Sequence, residues 1–263
     1  VYLIRDNWPY FFWFLFYLIL FGALTFGIII PLYLLFFIIA FTPLSEKLWR
    51  VVMGIRPLRL KSEKDRLLPL FKEVYDKAYY ESYESISLKV DLYIQESMEI
   101  NAFAFGKGTL VLTKGSIDLL SDECLQGLIA HELGHFAYRD TSVALFAAVA
   151  NFPMSFLMRT FYKIEFKLES DSIGLARMAF GFFFAIFKGL DFLSGLMLMY
   201  HKRMYEYSAD MFALKCGFGK NMAEVLEQIY HTSISTPKSI KEQIRATHPP
   251  LTKRIERLED VLY

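Results

Sequence analysis

Hydrophobic and polar positions divide this chain into blocks of different period. Residues 8–42 carry no charged side chain. The run is longer than the 7–15 apolar residues of a signal-peptide core, and it lies between the roughly 20 residues of one membrane pass and the roughly 40 of two. Gly22, Gly27 and Pro31 are places where it can break, which favours two short tilted helices over a single long one. Between residues 64 and 83 the apolar positions Leu67, Leu68, Phe71, Val74, Tyr75 and Ala78 recur at helical spacing. The rhythm then shortens to two. Val90, Leu92 and Ile94 alternate with Asp91, Tyr93 and Gln95, and residues 100–105 and 109–113 read as two more strands joined at Gly106-Lys107-Gly108. These strands predict a small antiparallel sheet.

The helical period returns after residue 120. Ser121 is placed to cap a helix, Asp122 and Glu123 put negative charge in its first turn, and Leu125, Leu128, Ile129 and Leu133 form its core face. Residues 143–162 are apolar up to Arg159, and after Arg177 the chain is apolar again to Tyr200, interrupted by Lys188 and Asp191. Each stretch is long enough to span a bilayer, and the short polar linker 163–176 makes the two a hairpin. Residues 201–263 are polar, with a helical pattern.

Composition strengthens the membrane reading. Hydrophobic residues make up 54% of the 263, aromatics make up 17%, and the 26 phenylalanines concentrate in a few stretches, as lipid contact requires. A net charge of +1 removes the electrostatic case for nucleic acid. Lys47, Arg50, Arg56, Arg59, Lys61, Lys64 and Arg66 follow the first apolar run and mark the cytoplasmic side. Cys124 and Cys216 are expected as buried free thiols; they form no disulfide framework and no zinc-ligand pair.

The candidate chemistry lies at His131-Glu132-Leu133-Gly134-His135. Two imidazoles at i and i+4 stand on one helical face and can bind one Zn²⁺, and Glu132 can reach a neighbouring water as general base. A gluzincin-type site needs a third ligand, usually a carboxylate from a second helix. The apolar hairpin returns the chain to the membrane surface it left, so the helix after residue 201 comes back to the metal helix. Glu206 and Asp210 share one face there. Glu206 is the candidate third ligand, Asp210 can accept a hydrogen bond from a ligand histidine, and Arg203, one turn before Glu206, can pair with a carboxylate. Without the hairpin parity, the same residues would read as an ordinary charged surface helix.

Four features occur in order: Asn101-Ala102-Phe103, His131-Glu132-x-x-His135, Glu206-x-x-x-Asp210, and His248-Pro249-Pro250-Leu251-Thr252-Lys253-Arg254-Ile255. In this order they resemble the HtpX family of integral-membrane zinc metallopeptidases, relatives of the CaaX prenyl proteases. The likeness runs from about residue 52 onward; the N-terminal apolar part is more compact than the family's two clear spans. The resemblance implies an α+β fold: a mainly helical gluzincin-type domain with a small antiparallel sheet, plus transmembrane helices. Residues 1–42 would be the N-terminal transmembrane segment, paired as a hairpin; 43–142 and 201–263 the two parts of the metallopeptidase domain; and 143–200 the second membrane hairpin. One Zn²⁺ per chain would be held by His131, His135 and Glu206. Glu132 would be the catalytic base and Asp210 would support a ligand. Asn101, Ala102 and Phe103 would bind an extended substrate at a sheet edge, and His248 would stand by the oxyanion. The expected protein is a multi-pass endopeptidase of a prokaryotic cell membrane, with its site on the cytoplasmic side. Its partners would be membrane lipid and polypeptide substrates, chiefly membrane proteins in quality control. Processing of a lipidated or secreted peptide, and a non-catalytic sensor or scaffold, are the alternatives.

Overall fold

A computed structural model of the chain describes residues 12, 15–16, 18–19, 29–82, 86, 89–142, 145, 174–233 and 249–262. The chain divides into two compact units, Val1–Ala40 with Val143–Tyr200, and Phe41–Ser142 with His201–Tyr263. In the first unit, helix α1 (Ile29–Ala40) is apolar throughout and exposes Leu34, Leu35, Ile38 and Ile39. The other described residues of this unit are 12, 15–16, 18–19 and 145 and those of helix α6 (Gly174–Lys215) up to Tyr200. Among the described residues, no helix is long and apolar enough to cross a membrane. Residues 8–11, 13–14, 17 and 20–28 of the first apolar run, and all of 143–162 except residue 145, lie outside the described residues.

The second unit is built on a four-stranded sheet of β1 (Ile55–Pro57), β2 (Asp91–Gln95), β3 (Ala102–Phe105) and β4 (Thr109–Thr113), in the order β1-β2-β4-β3. The sheet is mixed, where the sequence predicts an antiparallel one. β3 and β4 form the expected antiparallel hairpin, with Ala102 opposite Leu112 and Phe105 opposite Thr109. β2, however, runs parallel to β4, from Asp91 opposite Thr109 to Gln95 opposite Thr113. After β2 the chain passes over the neighbouring position and lays β3 one place further out; the tight turn then returns β4 into the gap. Burial explains the choice. All five residues of β4 are buried, as suits a central strand, whereas β2 alternates. β1, which the period-2 pattern does not reveal, pairs antiparallel with β2.

The hairpin turn needs Gly106, whose φ is +64°. A side chain there would also strike the carboxylate of Glu46 on helix α2 (Pro43–Val52). That carboxylate accepts from Lys107 N (2.7 Å) and from Thr109 Oγ1 (3.3 Å). Arg50 Nη1, also on α2, donates to Thr109 Oγ1 (2.9 Å). The polar face of α2 is thereby tied to the β3–β4 turn.

Helices α3 (Lys61–Glu81), α4 (Lys114–Leu119), α5 (Asp122–Ala137), α7 (Gly219–Ser233) and α8 (Leu251–Leu262) complete the unit with the end of α6. α5 packs against α3, α7 and β3, and α8 packs on α7. Leu67 and Val74 of α3, Leu125, Ile129 and Leu133 of α5, Leu226 of α7 and Leu258 of α8 are fully buried with Ile94, Leu110 and Leu112 of the sheet. Each such side chain stabilises the unit by about 1.5–3 kcal/mol. At Gly127 a side chain would meet the backbone of Asn221 and Met222, so glycine permits the close approach of α5 and α7. Asn221 Nδ2 secures it by donating to Glu123 O (2.9 Å). Both cysteines are buried free thiols, as expected.

The start of α3 is held by one charged knot. Glu63 accepts two hydrogen bonds from Arg56 of β1, at 2.7 and 3.1 Å, and further ones from the backbone N–H groups of Arg59 and Leu60. Arg56 Nε also donates to Glu96 just beyond β2 (2.7 Å). The Arg56 hydrogen bond lowers the Glu63 carboxyl from 4.5 to about 2, against the opposing effect of burial. A depressed carboxyl adds stability above its unfolded pKa and loses it as pH falls through the folded value. Glu63→Gln should therefore cost about 1–2 kcal/mol at neutral pH and flatten the loss of stability between about pH 5 and 2. Thermal unfolding of the chain across that range, followed by circular dichroism, checks both effects.

Candidate metal centre

Ser121 caps α5 by accepting from Cys124 N (3.2 Å), and the helix then runs without a break through the H-E-x-x-H residues. His131 and His135 stand one turn apart, with ring centroids 4.9 Å apart and planes nearly perpendicular. His131 and Glu132 are buried and His135 is nearly so. Gly134, between the histidines, faces α6. A Cβ there would come within 3.0 Å of Ala209 Cα and 3.2 Å of Phe212 Cβ. This close approach lets Glu206 reach the histidine face. His131 Nε2 and Glu206 Oε2 are 3.6 Å apart, and one donor atom each of His131, His135 and Glu206 lie within 4.8 Å of one another.

Carboxylates hold the far side of both rings. Asp210 Oδ1 lies 2.9 Å from His131 Nδ1, within ion-pair range but off the axis of a hydrogen bond. His135 Nδ1 pairs with Asp140 Oδ2 at 3.1 Å. Both imidazoles thus keep Nε2 for the shared space. Asp140 gets there through the end of α5. Arg139 adopts φ +60°, a left-handed conformation costly for a residue with a side chain, and this turns the chain back on itself.

A third helix completes the cluster. Arg254 of α8 donates to both oxygens of Asp210, at 2.7 and 2.6 Å, and its Nη1 lies 3.2 Å from Glu206 Oε2. Among the described residues, the only buried Asp, Glu or Arg side chains are Glu132, Asp140, Glu206, Asp210 and Arg254. These four carboxylates outnumber the one fully buried guanidinium, and even with half-buried Arg203 counted the described site keeps an excess of negative charge. An unbalanced buried charge is expensive, so the cluster calls for protons or a cation. Burial disfavours the charged imidazolium of His131, yet Asp210 and Glu206 outweigh it and raise the group to about 10. His135 is raised too, with Asp140 prevailing over burial. Burial would raise Asp210, but Arg254 and His131 hold it below the ordinary carboxylate range. Asp140 is raised, chiefly by burial.

Two imidazoles and a carboxylate suit a zinc-like dication. Donors about 2.0–2.1 Å from a tetrahedral ion stand roughly 3.4 Å apart, close to the 3.6 Å between His131 and Glu206. Such an ion displaces the histidine protons, so its uptake strengthens as pH rises.

Other residues singled out in the sequence fall as follows. Ala102 and Phe103 lie on β3, an edge strand against which α5 packs. Asn101 just precedes it, with its backbone N–H held by Ser116 Oγ (2.8 Å) and Thr113 Oγ1 (3.1 Å). Arg203 is half-buried on α6, one turn before Glu206. His248 lies outside the described residues. Sequence reasoning missed Asp140 and the role of Arg254. Arg254 did leave a signal, because Leu251, Arg254, Ile255 and Leu258 make one stripe at helical spacing, a charge where an apolar residue belongs. Asp140 left none, since five residues past His135 is off the helical face.

Asp140→Asn, which keeps size and removes charge, should weaken zinc binding by about 10–100-fold while leaving the fold intact; chelator competition measures it. Arg254→Met should strand two carboxylates and cost about 3–5 kcal/mol without metal. Zinc offsets part of that charge, so the zinc-induced rise in Tm should be larger in this variant than in the parent chain.

Residues 71–262 match the description Peptidase family M48. A Protease HtpX homolog of Thermoanaerobacter pseudethanolicus is 29% identical over 202 residues, 66% of this chain and 66% of that protein. The Protease HtpX homolog of Bacillus pumilus is 25% identical over 246 residues, covering 85% of this chain and 81% of its own length. The chain thus spans about two thirds of the length of several relatives it matches. The crystal structure of S. mikatae Ste24p shares the fold, with a TM-score of 0.58 at 17% identity over 97% of this chain and 63% of that one. The family match takes in both histidines of α5, the paired carboxylates of α6 and the arginine of α8, and the chain belongs to peptidase family M48.

Proposed function

We propose that this chain is a membrane-associated zinc endopeptidase that hydrolyses peptide bonds of membrane or membrane-associated proteins. The observation that carries the reading is the buried, net-negative cluster in which His131, His135 and Glu206 offer three donors within 4.8 Å. These three would hold the zinc, which supplies Lewis acidity, polarising a scissile carbonyl and making water a stronger acid. Glu132, buried beside His131, takes the proton of the attacking water and returns it to the leaving amine. Asp140 keeps His135 in the tautomer that presents Nε2, and Asp210, at ion-pair distance from His131 Nδ1, favours the same tautomer there. Arg254 holds Asp210 and Glu206 in place, and Arg203 flanks them on α6.

An extended substrate adds to the sheet along β3, where main-chain hydrogen bonds bind it beside α5 and Asn101, Ala102 and Phe103 line its path. His248 assists at the oxyanion, a role that rests on its match to the family pattern. The charge-free run 8–42 and the apolar stretches 143–162 and 177–200 support membrane attachment, and the basic residues that follow the first run support a cytoplasmic site in a prokaryotic cell membrane. A protease so placed fits the removal of damaged membrane proteins.

Glu132→Gln should retain zinc and lower casein cleavage by at least about a hundredfold. Glu206→Ala should lower zinc content itself. Metal analysis and cleavage assays on the same samples separate the two, and undiminished cleavage by the Glu132→Gln variant would remove Glu132 from the role of base.

A further inference from the structure

Helix α2 has one face in use and one that is not. On a helix at 3.6 residues per turn, Leu44, Leu48, Val51 and Val52 fall within roughly 100° of arc. They are 58%, 56%, 74% and 76% exposed, and Trp49, on the flank between this arc and the opposite face, is 53% exposed. The opposite face is committed. Glu46 binds Lys107 N and Thr109, and Arg50 donates to Thr109 and stacks 4.8 Å from the Tyr93 ring centroid. Thr141 Oγ1, just past the metal helix, donates to the same turn at Gly106 O (2.8 Å). Rotating α2 to bury its apolar arc would break these bonds and bury Glu46 unpaired. The helix is therefore held with its apolar face outward.

We propose that α2 is an interfacial helix whose Leu44, Leu48, Val51 and Val52 enter the boundary between lipid headgroups and acyl chains, docking the second unit on the bilayer. The inference rests on the membrane part of the function proposed above. Three observations choose lipid as the occupant. The helix follows α1 in sequence with only Phe41 and Thr42 between, and α1 is charge-free and exposes its own apolar side chains. Lys47 is exposed at the edge of the arc, and Arg59, Lys61 and Lys64 are exposed just beyond the helix, which suits anionic headgroups. Trp49 has the amphipathic ring that settles at a membrane interface. A second copy docked face to face in antiparallel fashion would instead set Lys47 against Lys47. Because α2 is bonded to the β3–β4 turn, its docking sets the height of edge strand β3 above the bilayer. Edge strand β3 would then meet chain segments as they emerge from the lipid.

The test uses the full chain in vesicles of phosphatidylcholine and phosphatidylglycerol. Single cysteines replace Leu44, Lys47, Leu48 or Val51 and carry a polarity-sensitive fluorophore. Native Cys124 and Cys216 are buried, with thiols pushed up by burial, Cys216 to about 12, and so label poorly. Quenching by a shallow spin-labelled lipid should be about threefold stronger at 44, 48 and 51 than at 47. Solvent-like emission at all four positions would overturn the proposal. So would blue-shifted but unquenched emission at 44, 48 and 51, which would mean that protein covers the face. Flotation of the chain with the vesicles reports membrane attachment separately. If the chain floats without quenching at α2, the docking face alone is wrong; if it does not float, the membrane reading falls and the docking face with it.

Discussion

A buried excess of negative charge organises this protein. Among the described residues, four buried carboxylates and two imidazoles gather where Arg254 is the one fully buried guanidinium and only partly balances them. In water such a cluster would repel itself apart, and in a packed interior it persists only if protons or a cation supply the missing charge. A proton on His131, whose imidazole Asp210 and Glu206 raise against burial, is one answer, and a dication is the other. The same feature thus sets stability and chemistry together. Groups that make the site attractive to a metal also make it costly to leave without one.

The rest of the second unit serves to bring those charges within a few ångströms of one another. The histidines need a helix, the third donor must come from another helix, and the two backbones must nearly touch. Gly134 permits that contact at Ala209. α8 adds Arg254 from the far end of the chain, and the left-handed turn at Arg139 folds Asp140 back under His135. Beside this cluster the sheet leaves β3 at its edge, and α2 ties the β3–β4 turn to an outward apolar face. The charged cluster, the edge strand and the exposed helix are therefore linked by short, direct bonds within one unit.

Much of this is legible in the chain. The period of 3.6 around Leu125, Leu128, Ile129 and Leu133 marks the metal helix, and Ser121 caps it as expected. Glu206 and Asp210 stand out because i and i+4 share a face, and both are buried at the site. Alternation reveals the strands but not their pairing, because the period of a strand records which face is buried and says nothing of its neighbours' direction. The mixed sheet follows from where β4 inserts, a long-range choice made by burial.

Local pattern therefore determined the elements, the metal-binding motif and its carboxylate partner, because each rests on residues one helical turn or one strand step apart. Tertiary structure alone decided that Arg254 neutralises Asp210 and Glu206, that Asp140 rather than any residue of the helical face holds His135, and that β4 lies between β2 and β3. Those contacts join residues separated by a left-handed turn, a strand crossing or more than forty positions. Periodicity does not reach that far, and only the packing of the whole unit and the balance of its buried charge can choose among the alternatives.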